Sequence, residues 1–429
     1  MKKGAFLFIV SLPVFFLLMS FPGCVKDNCK NTYSYTFYRP VYKTTAEVRA
    51  NIKSNAPRET ENPGKIFIYG NYIFLGEIDK GVHVIDNSNP SSPKHVAFID
   101  IPGNGDIAVK GNTLYADMFT DLVAIDITNP QSAVLKNVVE GVFPERIYGG
   151  GFIVSGNSII TDWVLADTTV TVDCNGGGNG GIILFDAGPQ AFYLSASSNS
   201  NNGGASVSPV GKGGSMARFT LVSDRLYTVS SSELVVFNIT SANEPYYVTK
   251  SQLNWGGVET IYSFKQRLFI GTQSGMYVYN ISNKDNPYEQ GKFGHVQSCD
   301  PVIADDNYAY VTLRSGTACQ GFTNEMNILE LNDITNPQLK KIYPMTNPHG
   351  LSKDGNTLFI CDGEAGLKVY DASDIMNLKL LTTIEGIDTY DVIAYDNLAL
   401  VVAKDGLYQY DYKNLSDIRQ LSKMTVQQK

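Results

Sequence analysis

One pattern recurs along most of this chain and constrains its fold more than any other feature. The clearest copy covers residues 354–374, where a turn pair precedes an apolar strand, a short polar break and a second strand of the form Gly-h-x-h-h-(Asp/Asn), in which h is apolar. Similar copies end at Pro90, Pro130 and Asn414. The chain is therefore built from repeats of one unit.

The acidic or amide residue that closes the second strand of each copy measures the repeat length. These residues are Asp86, Asp126, Asn238, Asn280, Asp333, Asp371 and Asp411. They are separated by 40, 112, 42, 53, 38 and 40 residues, and the longest gap holds a degenerate copy, GGIILFDAG, that contains Asp186. A period near 40 with several short apolar runs is typical of a β-propeller blade. We predict an all-β propeller of about eight four-stranded blades, or seven if the copy at Asp186 is only an insertion.

The composition agrees with many short strands joined by tight turns. The 429 residues include 25 Tyr, 21 Phe and 39 Gly, and only 18% are charged. The formal net charge is −8. Because a nucleic-acid-binding face needs an excess of Lys and Arg, we expect no nucleic acid partner.

The N-terminus has the features of an export signal. Lys2 and Lys3 precede an apolar run over residues 5–19, and Gly23 stands before Cys24. We predict a lipoprotein signal peptide over residues 1–23 and a lipid on Cys24, which would hold the protein on a membrane. The residues at 21 and 22, Phe and Pro, depart from the common lipobox, so ordinary signal-peptide cleavage is the alternative. We expect an exported protein at the outer membrane or cell surface, with periplasmic or outward display left open.

Residues 24–63 are predicted to form a tether, a strand and a short helix before a propeller over residues 64–429. The strand covers Tyr33–Phe37, where aromatic and small polar residues alternate, and ends at Arg39 and Pro40. We expect this strand to complete the sheet where the last blade meets the first. The helix covers Thr45–Ser54, with apolar Val48 and Ile52 one turn apart.

The third unit is interrupted by a stretch rich in Gly, Ser and Asn, at about 173–215. It contains too few apolar side chains to form a core of its own, so we predict a mobile surface excursion. Its glycine cluster lacks the Gly-Lys-Ser/Thr ending of a phosphate-binding loop.

A layer of ionisable residues is predicted at one mouth of the central channel. Aligning the units on their turn asparagines brings together the residues just before each innermost strand. They are Asp106, Glu145, Arg146, Arg218, Glu259, Asp300, His349 and Asp391. Converging carboxylates, arginines and a histidine indicate a site for a polar ligand or a cation. The alternative is a mutually neutralising rim that seals the channel.

The repeat strings resemble a known family. VHVIDNSNP, LVAIDITNP, LVVFNIT, MYVYNIS and LKVYDAS are similar to the LVIVD repeat, and the resemblance extends from about Gly64 to the C-terminus. The resemblance implies a β-propeller in a bacterial or archaeal surface protein and no common activity. Together with the lipobox, the chain resembles surface lipoproteins of the Bacteroidetes type.

The cysteines fit an exported protein. Cys299 and Cys319 bracket a hairpin that turns at Asp306 and Asn307, and we predict a disulfide between them if the tail before Cys319 curls back. Two separate buried thiols are the alternative. Cys361, inside an apolar strand, is predicted to be a buried filler, while the pairing of Cys29 and Cys174 stays open.

These observations favour a lipid-anchored envelope module that binds or scaffolds a protein or glycan partner, as a monomer and without a cofactor. No enzyme signature is present: no two of the four His stand at metal-ligand spacing, and no nucleophile motif has a plausible partner. The alternative is a calcium-dependent hydrolase or lyase that works in the central channel, since propellers host both classes.

Overall fold

The computed structural model describes residues 30–146, 158–173, 200–201, 212–253, 257–295, 298, 301–316 and 322–427. These residues form 33 strands, one α-helix and one 3-10 turn. They divide into two compact units, one within Met1–Val41 and Asp162–Gln190 and the other within Tyr42–Thr161 and Ala191–Lys429. The second unit is the propeller. No helix in the described ranges is long and apolar enough to cross a membrane.

Three short elements precede the first blade. They are β1 (Lys30–Thr44), helix α1 (Thr45–Ala50) and β2 (Ser54–Asn55). Blade 1 consists of β3 (Pro63–Tyr69), β4 (Tyr72–Glu77), β5 (Gly81–Asp86) and β6 (Lys94–Asp100). Blade 2 consists of β7 (Ile107–Lys110), β8 (Thr113–Met118), β9 (Asp121–Asp126), the 3-10 turn Pro130–Ser132 and β10 (Val134–Val139). Between blades 2 and 3 in the sequence stand β11 (Ser158–Asp173), β12 (Ser200–Asn201) and β13 (Lys212–Gly213).

Five further blades follow. Blade 3 consists of β14 (Phe219–Val222), β15 (Arg225–Val229), β16 (Glu233–Asn238) and β17 (Tyr246–Gln252). Blade 4 consists of β18 (Val258–Phe264), β19 (Arg267–Thr272), β20 (Gly275–Asn280) and β21 (Tyr288–Gly294). Blade 5 consists of β22 (Val302–Ala304), β23 (Tyr308–Leu313), β24 (Glu325–Glu330) and β25 (Gln338–Pro344). Blade 6 consists of β26 (Leu351–Asp354), β27 (Thr357–Cys361), β28 (Leu367–Asp371) and β29 (Lys379–Ile384). Blade 7 consists of β30 (Thr389–Tyr395), β31 (Leu398–Ala403), β32 (Gly406–Asp411) and β33 (Arg419–Thr425).

The predicted β-propeller is confirmed. Of the eight sheets in the described ranges, seven contain four consecutive antiparallel strands, which is the alternative blade count. Blade 2 packs directly on blade 3, with Leu114 and Phe237 in one buried cluster. Blade 7 returns to blade 1, where Leu400 packs with Ile73 and Leu75. The degenerate copy at Asp186 lies outside the described residues.

The residue that closes each repeat is a turn-forming residue. In six of the seven described blades this Asp or Asn ends the third strand, and its side-chain oxygen accepts a hydrogen bond of 2.8 to 2.9 Å from the amide two residues later. This Asx turn directs the chain toward the outer strand. In blade 5 the third strand ends at Glu330, so the assignment of Asp333 to this position was wrong; Asp333 forms a turn three residues later, where it accepts from the Thr335 amide at 3.0 Å. The Asn-Pro pairs lie between the third and fourth strands, for example at Asn89 and Pro90. The repeat motif is therefore explained by its role in forming the blade.

The N-terminal strand does not complete the sheet of the last blade, so that prediction was wrong. Strand β1 pairs with β11 in a two-stranded sheet, and it continues through Pro40 instead of ending there. Proline is compatible with a strand that has an unpaired edge. Near the last blade, Thr60 forms a parallel bridge with Val426, and blade 7 takes all four of its strands from the C-terminal segment.

Among the described residues, the smaller unit contains most of this two-stranded ribbon. Its two strands are joined by side-chain hydrogen bonds between polar residues, such as that from the Thr36 hydroxyl to the Asp167 carboxylate at 2.7 Å. Thr32 and Thr171 are similarly joined at 3.2 Å. Such a ribbon gains little from burial, because its described side chains are mostly exposed or half-buried.

The predicted helix is shorter than expected and belongs to the propeller unit. It starts after Thr44, whose hydroxyl and the Glu47 carboxylate form a reciprocal capping box. Val48 and Ile52 are buried against blades 1 and 2. The helix ends at Ala50 because β2, close behind it, pairs with the outer strand β6 of blade 1.

Candidate functional site

The predicted charged layer forms at the end of the channel where the innermost strands begin. The first strands of neighbouring blades contact each other around the ring, from β3 through β7, β14, β18, β22 and β26 to β30. Asp106, Glu259 and Asp391 are almost fully buried at the starts of three of these strands. The charges of Asp106, Arg218, Glu259 and Asp391 all act on the pKa of Lys65. Four of the predicted residues therefore belong to one electrostatic cluster.

Lys65 is the cation at the centre of this cluster. Its Nζ donates a hydrogen bond of 2.8 Å to the carbonyl oxygen of Met216. Burial lowers the pKa of Lys65 to about 8, and the nearby carboxylates, Asp106 first, oppose that shift. The ammonium is therefore held between blade 1 and the segment that leads into blade 3.

Asp106 is fixed by backbone donors on both sides. Its carboxylate accepts a hydrogen bond from the Ile107 amide at 2.7 Å and another from the Arg218 amide. Burial raises the pKa of Asp106 to about 7, although Lys65 favours the charged form. A carboxyl group that is half-protonated near neutral pH can act as either a donor or an acceptor toward a ligand.

Asp117 supports the loop that carries Asp106. One of its carboxylate oxygens accepts hydrogen bonds from the Asn104 side chain, the Gly105 amide and the Asp106 amide, at 2.8, 2.8 and 2.9 Å. Burial raises the pKa of Asp117 above its ordinary value. This carboxylate is saturated with donors, so its role is to position the loop.

Arg218 contributes a guanidinium N–H that is available as a hydrogen-bond donor. Burial lowers the pKa of its guanidinium, and Asp106, Asp117 and Glu259 oppose that shift. Its Nε is buried and has no hydrogen-bond partner among the described residues. Buried polar groups are usually satisfied, so this Nε is a donor that an acceptor from outside the chain could use.

Asp391 lies in a slot that depends on two glycines. Its carboxylate accepts hydrogen bonds from the Val392 amide at 3.0 Å and the Ser215 hydroxyl at 3.3 Å. A Cβ atom on either Gly214 or Gly350 would collide with this carboxylate. The absence of a side chain at these glycines makes room for a charged group at the mouth.

His349 lies at the same mouth beside residues of blades 5 and 7. It is 7% exposed, and its ring packs edge-on against Tyr390 with a centroid distance of 5.5 Å. Burial and then the Arg314 guanidinium lower the pKa of His349 to about 3. Burial also lowers the pKa of Arg314, while Glu259 and then Tyr390 oppose that shift. His349 is therefore a neutral ring at physiological pH.

Two described residues of the predicted layer lie away from this cluster. Arg146 pairs with Asp79 at 2.6 Å, and its guanidinium lies 4.6 Å from the centre of the Phe119 ring. Glu145 is exposed. Both follow the last strand of blade 2, and the unit that they were predicted to begin lies outside the described residues. Asp300 lies outside the described residues, as do Cys24, Cys299 and Cys319.

Sequence reasoning missed Lys65, Asp117 and Arg314. A signal for Lys65 was present, because it stands six residues before the turn residue Asn71, as Asp106 stands before Asn112. Asp117 lies near the end of the second strand of blade 2, and Arg314 directly follows the second strand of blade 5. An alignment of first strands could therefore not identify them. The predicted hairpin that turns at Asp306 and Asn307 and the buried thiol of Cys361 are confirmed.

The end of the predicted excursion is part of the channel wall, which corrects its boundary. Lys212 and Ser215 are buried, and β13 pairs with the innermost strand β3 of blade 1. Lys212 also donates a hydrogen bond to the Ala394 carbonyl of blade 7. Residues 212–215 are held because three blades offer them hydrogen bonds, although they carry no apolar side chain. Most of the preceding excursion lies outside the described residues.

A metal centre finds no support in the described ranges. They contain no group of three or more His, Cys, Asp or Glu side chains placed to hold a metal ion. His83 and His95 do approach each other, with ring centroids 5.1 Å apart. The Glu77 carboxylate lies 2.6 Å from the His83 Nε2 and also pairs with Arg58 at 3.4 Å.

Several solved structures are similar to this chain at low sequence identity. The computationally designed Ika8 protein is 11% identical, with 88% of this chain and 92% of that chain covered and a TM-score of 0.51. A protein from Lactobacillus plantarum is 11% identical over 77% of this chain and 87% of its own, with a TM-score of 0.49. Saccharomyces cerevisiae Sqt1 is 8% identical over 88% and 89%, with a TM-score of 0.47. At such identities the likeness concerns the fold alone.

No curated protein matches the sequence. The LVIVD repeat model matches residues 63–99 and 104–140. These two ranges coincide with blade 1 and blade 2, from the first strand of each to its last. The chain therefore contains LVIVD repeats, and they are blades of its propeller.

Proposed function

We propose that this protein is a lipid-anchored binding or scaffolding module of the cell envelope, and that its propeller receives a polar group of a protein or glycan partner at the charged channel mouth. The observation that carries this proposal is the buried Nε of Arg218, which has no partner among the described residues although Asp106 and Glu259 act on the same guanidinium. A rim that merely seals the channel would be expected to satisfy this donor internally.

The charges at the mouth favour a ligand group with both donors and acceptors. Lys65 and Arg218 offer N–H donors, whereas Glu259 and Asp391 offer carboxylate acceptors. These groups are held by the rigid starts of innermost strands, so little ordering is needed when a ligand binds. A peptide segment or a sugar with acidic and hydroxyl groups fits this description.

The test is partner capture with a double variant at the mouth. Glu259→Gln with Asp391→Asn removes two acceptors while it keeps the size of the side chains. Immobilised wild-type protein, incubated with detergent-solubilised envelope from the native cells and with a printed glycan array, is expected to retain a partner that the double variant loses at least tenfold. The matched control is Glu289→Gln with Glu385→Gln, two exposed carboxylates that change the net charge equally.

Melting curves of the same variants separate a binding role from a structural one. We expect the mouth variant to melt as a folded protein and the control to bind like the wild type. Unchanged capture by the mouth variant, with only a shifted melting temperature, would show that the cluster is a structural rim.

The membrane anchor is proposed from the sequence of the N-terminus. The charged start, the apolar run and Gly23-Cys24 favour lipidation of Cys24. We expect Cys24→Ala to move the protein from the membrane pellet to the soluble fraction and to abolish metabolic acyl labelling. A Cys24→Ala protein that still pellets, beside a wild type without acyl label, would contradict the anchor without touching the binding proposal.

A further inference from the structure

A tyrosine joins neighbouring blades at the end of the propeller opposite the charged mouth. It stands three residues after the first turn of the blade, on the second strand. In blade 2, Tyr115 donates a hydrogen bond of 2.8 Å to the Ala242 carbonyl of blade 3. In blade 3, Tyr227 donates one of 2.8 Å to the Lys284 carbonyl of blade 4. Each acceptor lies four residues after the Asx-turn residue of its blade, so the two contacts are equivalent.

Blade 5 has the same tyrosine but uses it differently. The Tyr310 hydroxyl donates to the Asp305 carboxylate of its own blade at 3.0 Å. The equivalent carbonyl of blade 6, that of Ile375, accepts instead from Tyr343 on the fourth strand of blade 5, at 2.8 Å. At the other two junctions, a tyrosine on the second strand makes the contact between blades. At the junction of blades 5 and 6, Tyr310 on the second strand bonds within its own blade, and Tyr343 on the fourth strand makes the contact between blades.

A cleft of about 640 Å³ lies at this junction between blades 5 and 6. Its size is within the range of small-molecule sites. The lining residues that could contact a ligand include Tyr308, Lys353, Asn356, Asp374 and Met376. Asp305 already accepts from the Asn307 and Tyr308 amides, the Tyr310 hydroxyl and Lys353. The cleft is separate from the channel mouth, because it is bordered by the turns at the far ends of the innermost strands.

Two of the four carboxylates that line the cleft are paired with its two lysines. Lys353 of blade 6 pairs with Asp305 of blade 5 at 2.9 Å, and Lys340 pairs with Glu330 at 2.9 Å. Asp374 accepts hydrogen bonds from the Met376 amide and the Asn377 side chain, both at 2.9 Å. These contacts fix the donors and acceptors of the cleft in place.

We propose that this cleft binds a neutral saccharide. Sugar hydroxyls both donate and accept, so they can bond to the Asp374 carboxylate, the Lys353 ammonium and the Asn356 amide. The half-buried ring of Tyr308 and the side chain of Met376, which is 44% exposed, provide apolar surface for the C–H face of a sugar ring. The site lies apart from the proposed channel-mouth function and does not depend on it.

The experiment is a printed array of neutral mono- to tetrasaccharides, followed by calorimetry with the strongest sugar. The blocking variant is Asn356→Trp, which places an indole at an exposed turn position that lines the cleft. Its matched control is Asn112→Trp, because Asn112 is an exposed turn residue that also follows a positive-φ glycine, Gly111 in blade 2 and Gly355 in blade 6. We expect Asn356→Trp to weaken binding at least tenfold and Asn112→Trp to leave it unchanged.

Two further variants complete the test. Met376→Trp blocks the cleft from its other side and is used if Asn356→Trp does not fold. The channel-mouth variant, Glu259→Gln with Asp391→Asn, should bind the sugar like the wild type. The proposal is overturned if no neutral saccharide on the array binds, if both blocking variants bind like the wild type, or if the channel-mouth variant alone loses the sugar.

Discussion

The hydroxyl oxygen of Ser215 accepts a hydrogen bond from the Leu351 amide at 2.7 Å. The same hydroxyl donates to the Asp391 carboxylate at 3.3 Å, so one residue at the end of the insertion connects blades 6 and 7. One position further along the chain, the Met216 carbonyl accepts from Lys65 of blade 1. The segment that leads into blade 3 therefore supports the charged mouth from inside the ring.

Replacing Ser215 with Ala should destabilise the propeller. The variant leaves the buried Leu351 amide without its acceptor, and an unsatisfied buried donor costs about 1–3 kcal/mol. Urea unfolding followed by fluorescence measures the change. Ser92→Ala, at an exposed position, should stay within about 0.5 kcal/mol of the wild type. Equal stability of both variants would mean that residues 212–215 do not hold the ring.

The stability of the protein should fall on acidification through His349. Its pKa is about 3 in the folded protein, below its ordinary value of 6.5, so folding favours the neutral ring. This contribution is fully present above pH 6.5 and is lost as the pH falls toward 3. Between pH 7.5 and pH 5 the loss should be about 2 kcal/mol.

The His349→Phe variant isolates this effect, because it keeps a ring against Tyr390 and removes the titrating nitrogen. We expect the wild type to lose about 2 kcal/mol more than the variant between the two pH values in urea unfolding. His95, whose pKa burial lowers to about 4, is present in both proteins and does not affect the difference. Parallel pH profiles would contradict the assignment.

The Asx turn at Asn238 should tolerate aspartate but not alanine. The Asn238 side chain accepts a hydrogen bond of 2.9 Å from the Thr240 amide, and aspartate makes the same contact in blades 1, 2, 6 and 7. Asn238→Ala should cost about 1 kcal/mol, and Asn238→Asp should be nearly neutral. Thermal unfolding compares them. A similar loss in both variants would show that the amide group, and not the turn, is required.

The interblade tyrosine should contribute measurably to the junction of blades 3 and 4. Tyr227→Phe removes the hydrogen bond to the Lys284 carbonyl and keeps the buried ring, so we expect a loss of about 1 kcal/mol. Chemical denaturation is the measurement, and Tyr246→Phe at a position that is 58% exposed is the control. If the control loses as much as Tyr227→Phe, the hydroxyl contact has no special role.

Much of the architecture could be predicted because the repeat is local. Asp86 and its counterparts form turns with amides two residues away, so these turns can be recognised from short stretches of sequence. Part of the layer at the mouth could also be predicted from the sequence, because Asp106 and Asp391 stand at equal distances from their turn residues. Any alignment of the units brings such positions together once the blades form a ring.

Other features depend on partners far apart in the sequence. The strand character of residues 33–37 is clear from their alternation, but nothing local indicates that β1 pairs with β11 and not with the last blade. Arg314 reaches the mouth from the end of a second strand, which an alignment of first strands does not include. The sequence also does not show that Tyr310 bonds within its own blade whereas Tyr227 bonds to the next blade, because both stand at the same place in their repeats.

The sequence alone determined that this chain forms a propeller of LVIVD-like blades, where most of its strands turn, and that Asp106, Glu259 and Asp391 begin innermost strands. These properties follow from side-chain alternation and from hydrogen bonds between near neighbours. Only the tertiary structure decided that Lys65 stands among the carboxylates, that residues 212–215 line the channel, and that a cleft opens between blades 5 and 6. Burial and long-range hydrogen bonds fix these features, and both exist only after the ring has closed.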